Sequence, residues 1–396
     1  MLFQRQCSQS LQRFIPRSRY IYVSLVLFVL AGEPADARII RVSSTGDGSN
    51  GTSWDTAFNR VADALDAAEY GDAIWVNAGS CNESIELVDG VSLYGGFIGT
   101  ETDTEFYLRD WRSNETILDA TGLNKRVIDG ASETVVDGFT ITNGLTTQQG
   151  GGGGLHCRSV NMRIANCNIV SNTALDSGVP SGDPSNQGGG FSCFLANVSI
   201  VNCVIQFNRA DYGGGVYAHR SNVLLRNCLV DDNMFTAVRP NNAEIVFQNC
   251  TFGLKNVGIA DTGDDYFGGG VGRFRNCIMR KPFYDILFPT EAVYSNLVAT
   301  DGEGNIDQDP QWVDPENGDY RLKLSSPCID SGTTTGPATD LDGNPRPVDV
   351  LGIGRDGPGA YDMGCYEFQL NKADLNSDGQ VNACDLFLFE DQWHSE

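Results

Sequence analysis

The sequence predicts an all-β chain folded as a right-handed parallel β-helix, with a capping helix at its N-terminal end and a short tail of different chemistry at its C-terminal end. Three observations carry this: a recurring Asn-Cys pair set among strand-like residues, glycine clusters between the recurrences, and a composition suited to short strands and tight turns. Of 396 residues, 41% are hydrophobic and only 20% charged, and the 46 Gly and 14 Pro follow no collagen-like period.

The recurrence comes first. Asn166-Cys167, Asn202-Cys203, Asn227-Cys228, Asn249-Cys250 and Asn276-Cys277 each lead into apolar, strand-forming residues, and successive Cys are 36, 25, 22 and 27 residues apart. A period of 22 to 27 residues matches one coil of a β-solenoid, and the long interval contains an insertion at 176–187 rich in Gly, Ser, Pro and Asp. Before each pair runs an alternating segment such as Asn197-Val198-Ser199-Ile200-Val201, which is strand chemistry. Asn172, Asn208 and Asn233 stand five positions after a Cys, where a turn residue tolerant of left-handed backbone is expected. Glycines 150–154, 188–190, 213–215 and 268–270 let one coil bend sharply and lie close on the next.

Stacking gives the repeated residues their meaning. Equivalent positions on adjacent coils lie about 4.8 Å apart, so like side chains form columns and no coil buries its face alone. A disulfide needs Cβ atoms about 3.8 Å apart on facing vectors, so Cys167, Cys203, Cys228, Cys250 and Cys277 are expected as buried thiols rather than bridges. At the N-terminal end, Trp54, Phe58, Val61 and Leu65 fall at helical spacing after Ser53, which predicts a capping helix over 53–68 with Ser53 as N-cap. The segment 306–369 breaks the period and is rich in Asp, Gly and Pro, so it is expected to close the C-terminal end of a solenoid over 38–305.

Residues 1–37 read as an export signal, with an Arg-containing start, an apolar run at 21–31, and Ala35-Asp36-Ala37 as a cleavage site. Eleven apolar residues are too few to span a bilayer, which takes about 20. No transmembrane helix is therefore expected in a mature chain that is secreted or on the cell surface. The net charge is -24, and since residues 1–37 carry four Arg against one Asp and one Glu, the remainder carries -26. Such a surface repels phosphate backbones, which excludes nucleic acid as a partner, and attracts divalent cations.

With those residues in view, the chain resembles bacterial β-helix proteins of the polymorphic outer-membrane-protein and choice-of-anchor Q kind, within the wider pectate-lyase-like class of solenoids. The resemblance rests on GTSWDTAF and GDAIWVNAG near the start, VSLYGGFIGTE with RDW, VVDGFTITNG, and DPQWVDPENGDYRLKLSSPCIDSG with DLDGNPR and YDMGCYE near the end. It implies a secreted or surface solenoid and supplies no agreed reaction. Relatives often have Ala where Cys328 and Cys365 stand, so a disulfide between these two is a hypothesis.

The tail, 370–396, carries the sharpest motif. Asp374, Asn376, Asp378, Gln380, Asn382 and Asp385 occupy the ligand positions of a Ca2+ loop, with Gly379 at its bend. Asp at the twelfth position and the apolar helix that follows resemble a dockerin type I repeat. One copy is present where a full dockerin has two, which puts docking to a cohesin-like receptor in doubt.

Catalytic candidates are weaker. Asp211, Asp231, Asp232, Asp264 and Asp265, with Arg209, His219, Arg220 and Arg226, are the titratable groups near the repeats. None sits in a catalytic motif, and most fall where turns are expected, as do His156 and His219 at coil edges. The expectation is a non-catalytic solenoid presenting a glycan- or partner-binding face, with a Ca2+-dependent tail for attachment. The alternative is a polysaccharide lyase or glycoside hydrolase on the same scaffold, tethered by the tail.

Overall fold

The computed structural model describes residues 37–148, 150–175, 186–234, 236–255, 270–280, 290–298, 300–357 and 359–369. Residues 1–36 of the export segment, residues 176–185 of the insertion, Asp264 and Asp265, and the whole of the tail motif lie outside them.

Three parallel sheets of ten, nine and six strands run along one axis, and each complete coil visits them in turn. One coil passes through Asn197–Val201 in the first sheet, Val204–Gln206 in the second and Val216–His219 in the third, and the next begins at Asn222–Arg226. Register holds from coil to coil: Val198, Val223 and Ile245 align, as do Ile200, Leu225, Phe247 and Phe274. Alternation along each strand turns these apolar residues inward, where they form one continuous core. The architecture is a right-handed parallel β-helix.

The Asn-Cys pairs turn the chain from the first sheet into the second. Asn166, Asn202, Asn227, Asn249 and Asn276 all have φ between 50° and 56°, the left-handed region that Asn tolerates best among residues with a side chain. Asn202 donates to Asn166 Oδ1 at 3.2 Å, and Asn227 donates to Asn202 Oδ1 at 2.8 Å. Each following Cys points into the core as a free thiol. The thiols of Cys167, Cys203 and Cys228 donate to the carbonyls of Ala165, Val201 and Arg226, each two residues back. A second thiol column pairs Cys157 with Cys193, and burial pushes the Cys193 thiol up to about 12.

The second set of asparagines differs from expectation. The left-handed positions are Ser171, Phe207 and Asp232, and Asn172, Asn208 and Asn233 follow them as a fully buried ladder. Asn208 accepts from Asn172 N and Nδ2 at 3.0 and 3.1 Å, and donates to Asn233 Oδ1 at 3.0 Å and Ile169 O at 2.8 Å. The amide is selected by interior polar groups that need partners, and the bend itself tolerates Ser, Phe or Asp. The glycine clusters then bring the chain over closely: a Cβ on Gly190 would stand 2.8 Å from Gly215 O of the next coil.

The N-terminal helix is shorter than the sequence suggests. It spans Val61–Ala67, with Arg60 at the N-cap, and buries Val61, Ala64 and Leu65 on the first coil. Ser53 instead forms a turn with Thr56, and Phe58 N donates to Arg41 O at 2.9 Å, a bond that ties Phe58 to the first strand and keeps it out of a helix. The helix start is satisfied from a distance, since Glu83 accepts from Val61 N and Ala62 N at 2.8 and 3.0 Å.

Residues 306–369 form a second apolar cluster along the outer face of the second sheet. Trp312, Tyr320, Ile329, Met363 and Cys365 pack against Leu229 and Ile278, whose side chains leave that sheet outward. Arg346 anchors the segment: it pairs with Glu367 at 3.0 Å, both side chains fully buried, and donates to Asn227 Oδ1 at 3.2 Å. Cys328 and Cys365 are both buried here as free thiols. The hypothesised bridge is not formed: Cys328 Sγ accepts from Asn296 Nδ2 at 3.1 Å, and Cys365 is held at its main chain by Thr251 Oγ1 at 3.1 Å. Among the described residues, no helix is long and apolar enough to cross a membrane.

Candidate functional site

A cleft of about 430 Å3 opens where the 306–369 segment meets the corner between the first two sheets. Its first wall comes from the loop after Ser92–Phe97. Gly96 and Gly138, with φ of 92° and 85°, let this loop settle on the corner, because a Cβ on either would meet Trp111 within about 3 Å. Arg109 is buried beneath the loop, pairs with Asp137, and lies 5.0 to 5.4 Å from the ring centres of Tyr94, Phe106 and Trp111. These contacts hold Trp111 half-buried at the cleft wall, with the Arg112 guanidinium 4.9 Å from its ring.

The floor is the outer edge of the coils, where Asn166, Asn168, Asn202 and Thr140 face the cleft. Glu115 accepts from Thr140 Oγ1 at 2.7 Å, which fixes one carboxylate at the rim. Leu341, Asp342 and Tyr366 form the opposite wall, and Arg112 crosses to it by donating to Leu341 O at 3.1 Å. Loss of solvent around Asp342 pushes its carboxyl upward and the Asp340 charge adds to this, whereas Arg321 and Arg112 oppose it. Burial likewise raises the Tyr366 phenol. The cleft thus offers two carboxylates, one guanidinium, planar amides and the aromatic residues Trp111, Phe139 and Tyr366, with no His, Cys or Ser among its lining residues.

The candidates from the sequence do not converge. Asp231 leaves the second sheet outward and is buried, accepting from Tyr320 OH at 2.8 Å and Lys255 N at 3.2 Å, so it joins the segment to the coils. Asp232 and Arg220 occupy left-handed turns, Arg209 is exposed, and Asp211 accepts from Asn186 at 2.7 Å. Arg226 lies on the first sheet against Gln248, whereas His219 lies on the third beside Phe194. His156 is buried on the third sheet, contrary to the coil-edge expectation, with Nδ1 2.8 Å from Ser192 Oγ. Burial pushes its pKa down to about 3, and the charges of Arg126 and Arg158 act in the same direction.

Sequence reasoning about titratable residues missed Trp111, Arg112, Glu115, Asp342 and Tyr366. Their only signal was their place in or beside RDW, DLDGNPR and YDMGCYE, stretches already conspicuous in the sequence. Nothing in a repeat period indicates that positions 229 residues apart meet, as Arg112 and Leu341 do.

No family model matches this chain, and no curated protein matches it. Among solved structures it is similar to a pectate lyase at 13% identity and a TM-score of 0.40, with 84% of this chain and 96% of that one covered. A pectin methylesterase from carrot shares 12% identity at a TM-score of 0.43, covering 69% and 87% of the two chains. A rhamnogalacturonan lyase shares 13% at 0.37, covering 83% and 100%. The class defined by the fold is the right-handed parallel β-helix solenoid, and these likenesses concern that fold alone.

Proposed function

We propose that this chain is an exported, surface-associated or secreted β-helix protein of the polymorphic outer-membrane-protein and choice-of-anchor Q kind, that it binds uncharged glycan in the flank cleft, and that its dockerin-like tail loads Ca2+ for attachment. The observation that carries the glycan reading is the cleft lining: Trp111 and Tyr366 stand beside Arg112, Glu115, Asp342, Asn166, Asn168 and Asn202. A sugar ring presents C–H surface to aromatic groups and hydroxyls at its edge that pair with planar amides and carboxylates, which this mixture supplies. The charge of -24 sets the sign of the ligand, because a polyuronate would approach against the field of the whole protein.

The test is titration calorimetry with neutral xylo-, manno-, gluco- and galacto-oligosaccharides, with oligogalacturonate as the anionic comparison. Binding of a neutral member, weakened about tenfold or more by Trp111→Ala, is expected; hot-spot aromatic truncations commonly cost about 2 kcal/mol or more. Binding that ignores Trp111→Ala and Asp342→Asn, or that selects oligogalacturonate, would overturn the reading.

One observation favours a second reading, a glycoside hydrolase. Glu115 and Asp342 face one cleft, and a pair of carboxylates is what acid–base cleavage of a glycosidic bond uses. Release of reducing ends that disappears in Asp342→Asn would select this reading over simple binding.

A further inference from the structure

Away from the cleft, Asp330 is fully buried beneath the loop 349–357. Its Oδ2 accepts from Val350 N at 2.8 Å, but its Oδ1 is buried and has no hydrogen-bond partner. Asp349 repeats the arrangement: Oδ2 accepts from Gly357 N at 3.2 Å, and a buried Oδ1 has none. Asp356, on the exposed rim, accepts from Gly352 N through Oδ1 at 2.7 Å. The loop can curl this tightly because Gly352, Gly354 and Gly357 have φ of 81°, 61° and 116°, and Arg355 N closes it onto Asp330 O at 3.0 Å.

The surroundings make this arrangement costly for the protein alone. A buried carboxylate oxygen without a donor forfeits its hydration, and one in the loop with another beneath it adds mutual repulsion. The cation on the loop, the Arg355 guanidinium, lies 5.3 Å from the centre of the Tyr294 ring, and neither Asp330 Oδ1 nor Asp349 Oδ1 takes a hydrogen bond from it. Asp362, the other acid in contact, is spent on Asp330 N at 2.8 Å and on Phe368 N. Solvent loss at Asp330, with the charges of Asp349 and Asp356, pushes its pKa up to about 6.

We propose that Asp330, Asp349 and Asp356 form a divalent-cation site of the Ca2+ type that fastens the 349–357 loop to the 306–369 segment. Hard oxygen ligands, glycine-rich curvature and access from an exposed rim suit Ca2+, which takes six to eight oxygens and fills its shell with main-chain carbonyls and water. Among the described residues, no three metal-ligating side chains close on one point as they stand. Asp330 and Asp349 therefore provide the fixed oxygens, and Asp356 swings in from the rim to complete the grip. This site is separate from the C-terminal motif, which has its own ligand set.

The test uses the full chain with Asp374→Ala and Asp378→Ala, so that the tail cannot contribute, stripped with chelator and titrated with Ca2+ by calorimetry and with Tb3+ by luminescence. One ion per chain is expected, with a rise in melting temperature. Adding Asp349→Asn or Asp356→Asn should weaken binding by about tenfold or more while leaving the chelator-treated melting temperature in place. Asp356 is exposed, so its variant folds whatever becomes of the others. Absence of ion uptake up to about 10 mM Ca2+, or unchanged affinity in both variants, would overturn the proposal.

Discussion

Replacing Asn208 by Ala isolates what the buried ladder contributes. The side chain makes four hydrogen bonds of 2.8 to 3.1 Å inside the core. Its loss strands Asn172 N, for which Asn208 Oδ1 is the acceptor, at a cost of about 1 to 3 kcal/mol for a buried donor. The other three bonds add roughly 0.5 to 1.5 kcal/mol each, although Asn172 Nδ2 retains Ile141 O and Asn233 Oδ1 retains Asn208 N. Together these reach about 2.5 to 7.5 kcal/mol, and the retained bonds bring the expected loss to the lower half of that range, about 3 to 5 kcal/mol, a large share of the 5 to 15 typical of a domain. Asn197→Ala is the matched control, because Asn197 also bridges two coils, donating to Asn161 at 2.7 Å and accepting from Asn222 at 2.8 Å, but on the solvent side. Water replaces those bonds, so the expected cost is below about 1 kcal/mol. Equilibrium unfolding in guanidinium chloride, compared at unchanged m, reads both. If the two variants lost the same stability, burial would not be what gives the ladder its value.

Two further perturbations test other contacts. Arg346→Met leaves Glu367 buried without its cation; a loss of about 3 to 5 kcal/mol is expected, partly restored by adding Glu367→Gln, and a melting temperature within a degree or two of the parent would show that the pair does not anchor the segment. His156 has a folded pKa near 3, below the ordinary 6.5, so its contribution is complete above pH 6.5 and is lost as pH falls from there toward 3. His156→Gln should therefore flatten that part of the stability profile, and nuclear magnetic resonance should find His156 neutral at pH 5; a protonated ring in the folded protein would contradict its buried setting.

The candidate site was much less legible than the fold. Residues such as Asp231 and His219 drew attention because their side chains titrate, yet one ties the C-terminal segment to the second sheet and the other packs at a tilt on Phe194 of the third. The cleft depends on Trp111, seated by Gly96, Gly138 and Arg109, and on Asp342 and Tyr366 arriving from a segment without any period. Hydrogen bonds to remote groups also decided local structure: Phe58 was claimed by Arg41, and the helix that begins at Val61 takes its cap from Glu83.

The amino-acid sequence alone determined the coil length, the Asn-Cys corners, the inward thiol column and the glycine contacts. Each of these joins a coil to its neighbour, so the same demand returns once per turn and is written as a recurrence. Only the tertiary structure decided which flank the 306–369 segment covers, where a cleft opens, and which carboxylate oxygens are left without donors. Those outcomes come from one-time contacts between distant stretches, whose free energy depends on shape and burial and leaves no repeating mark in the chain.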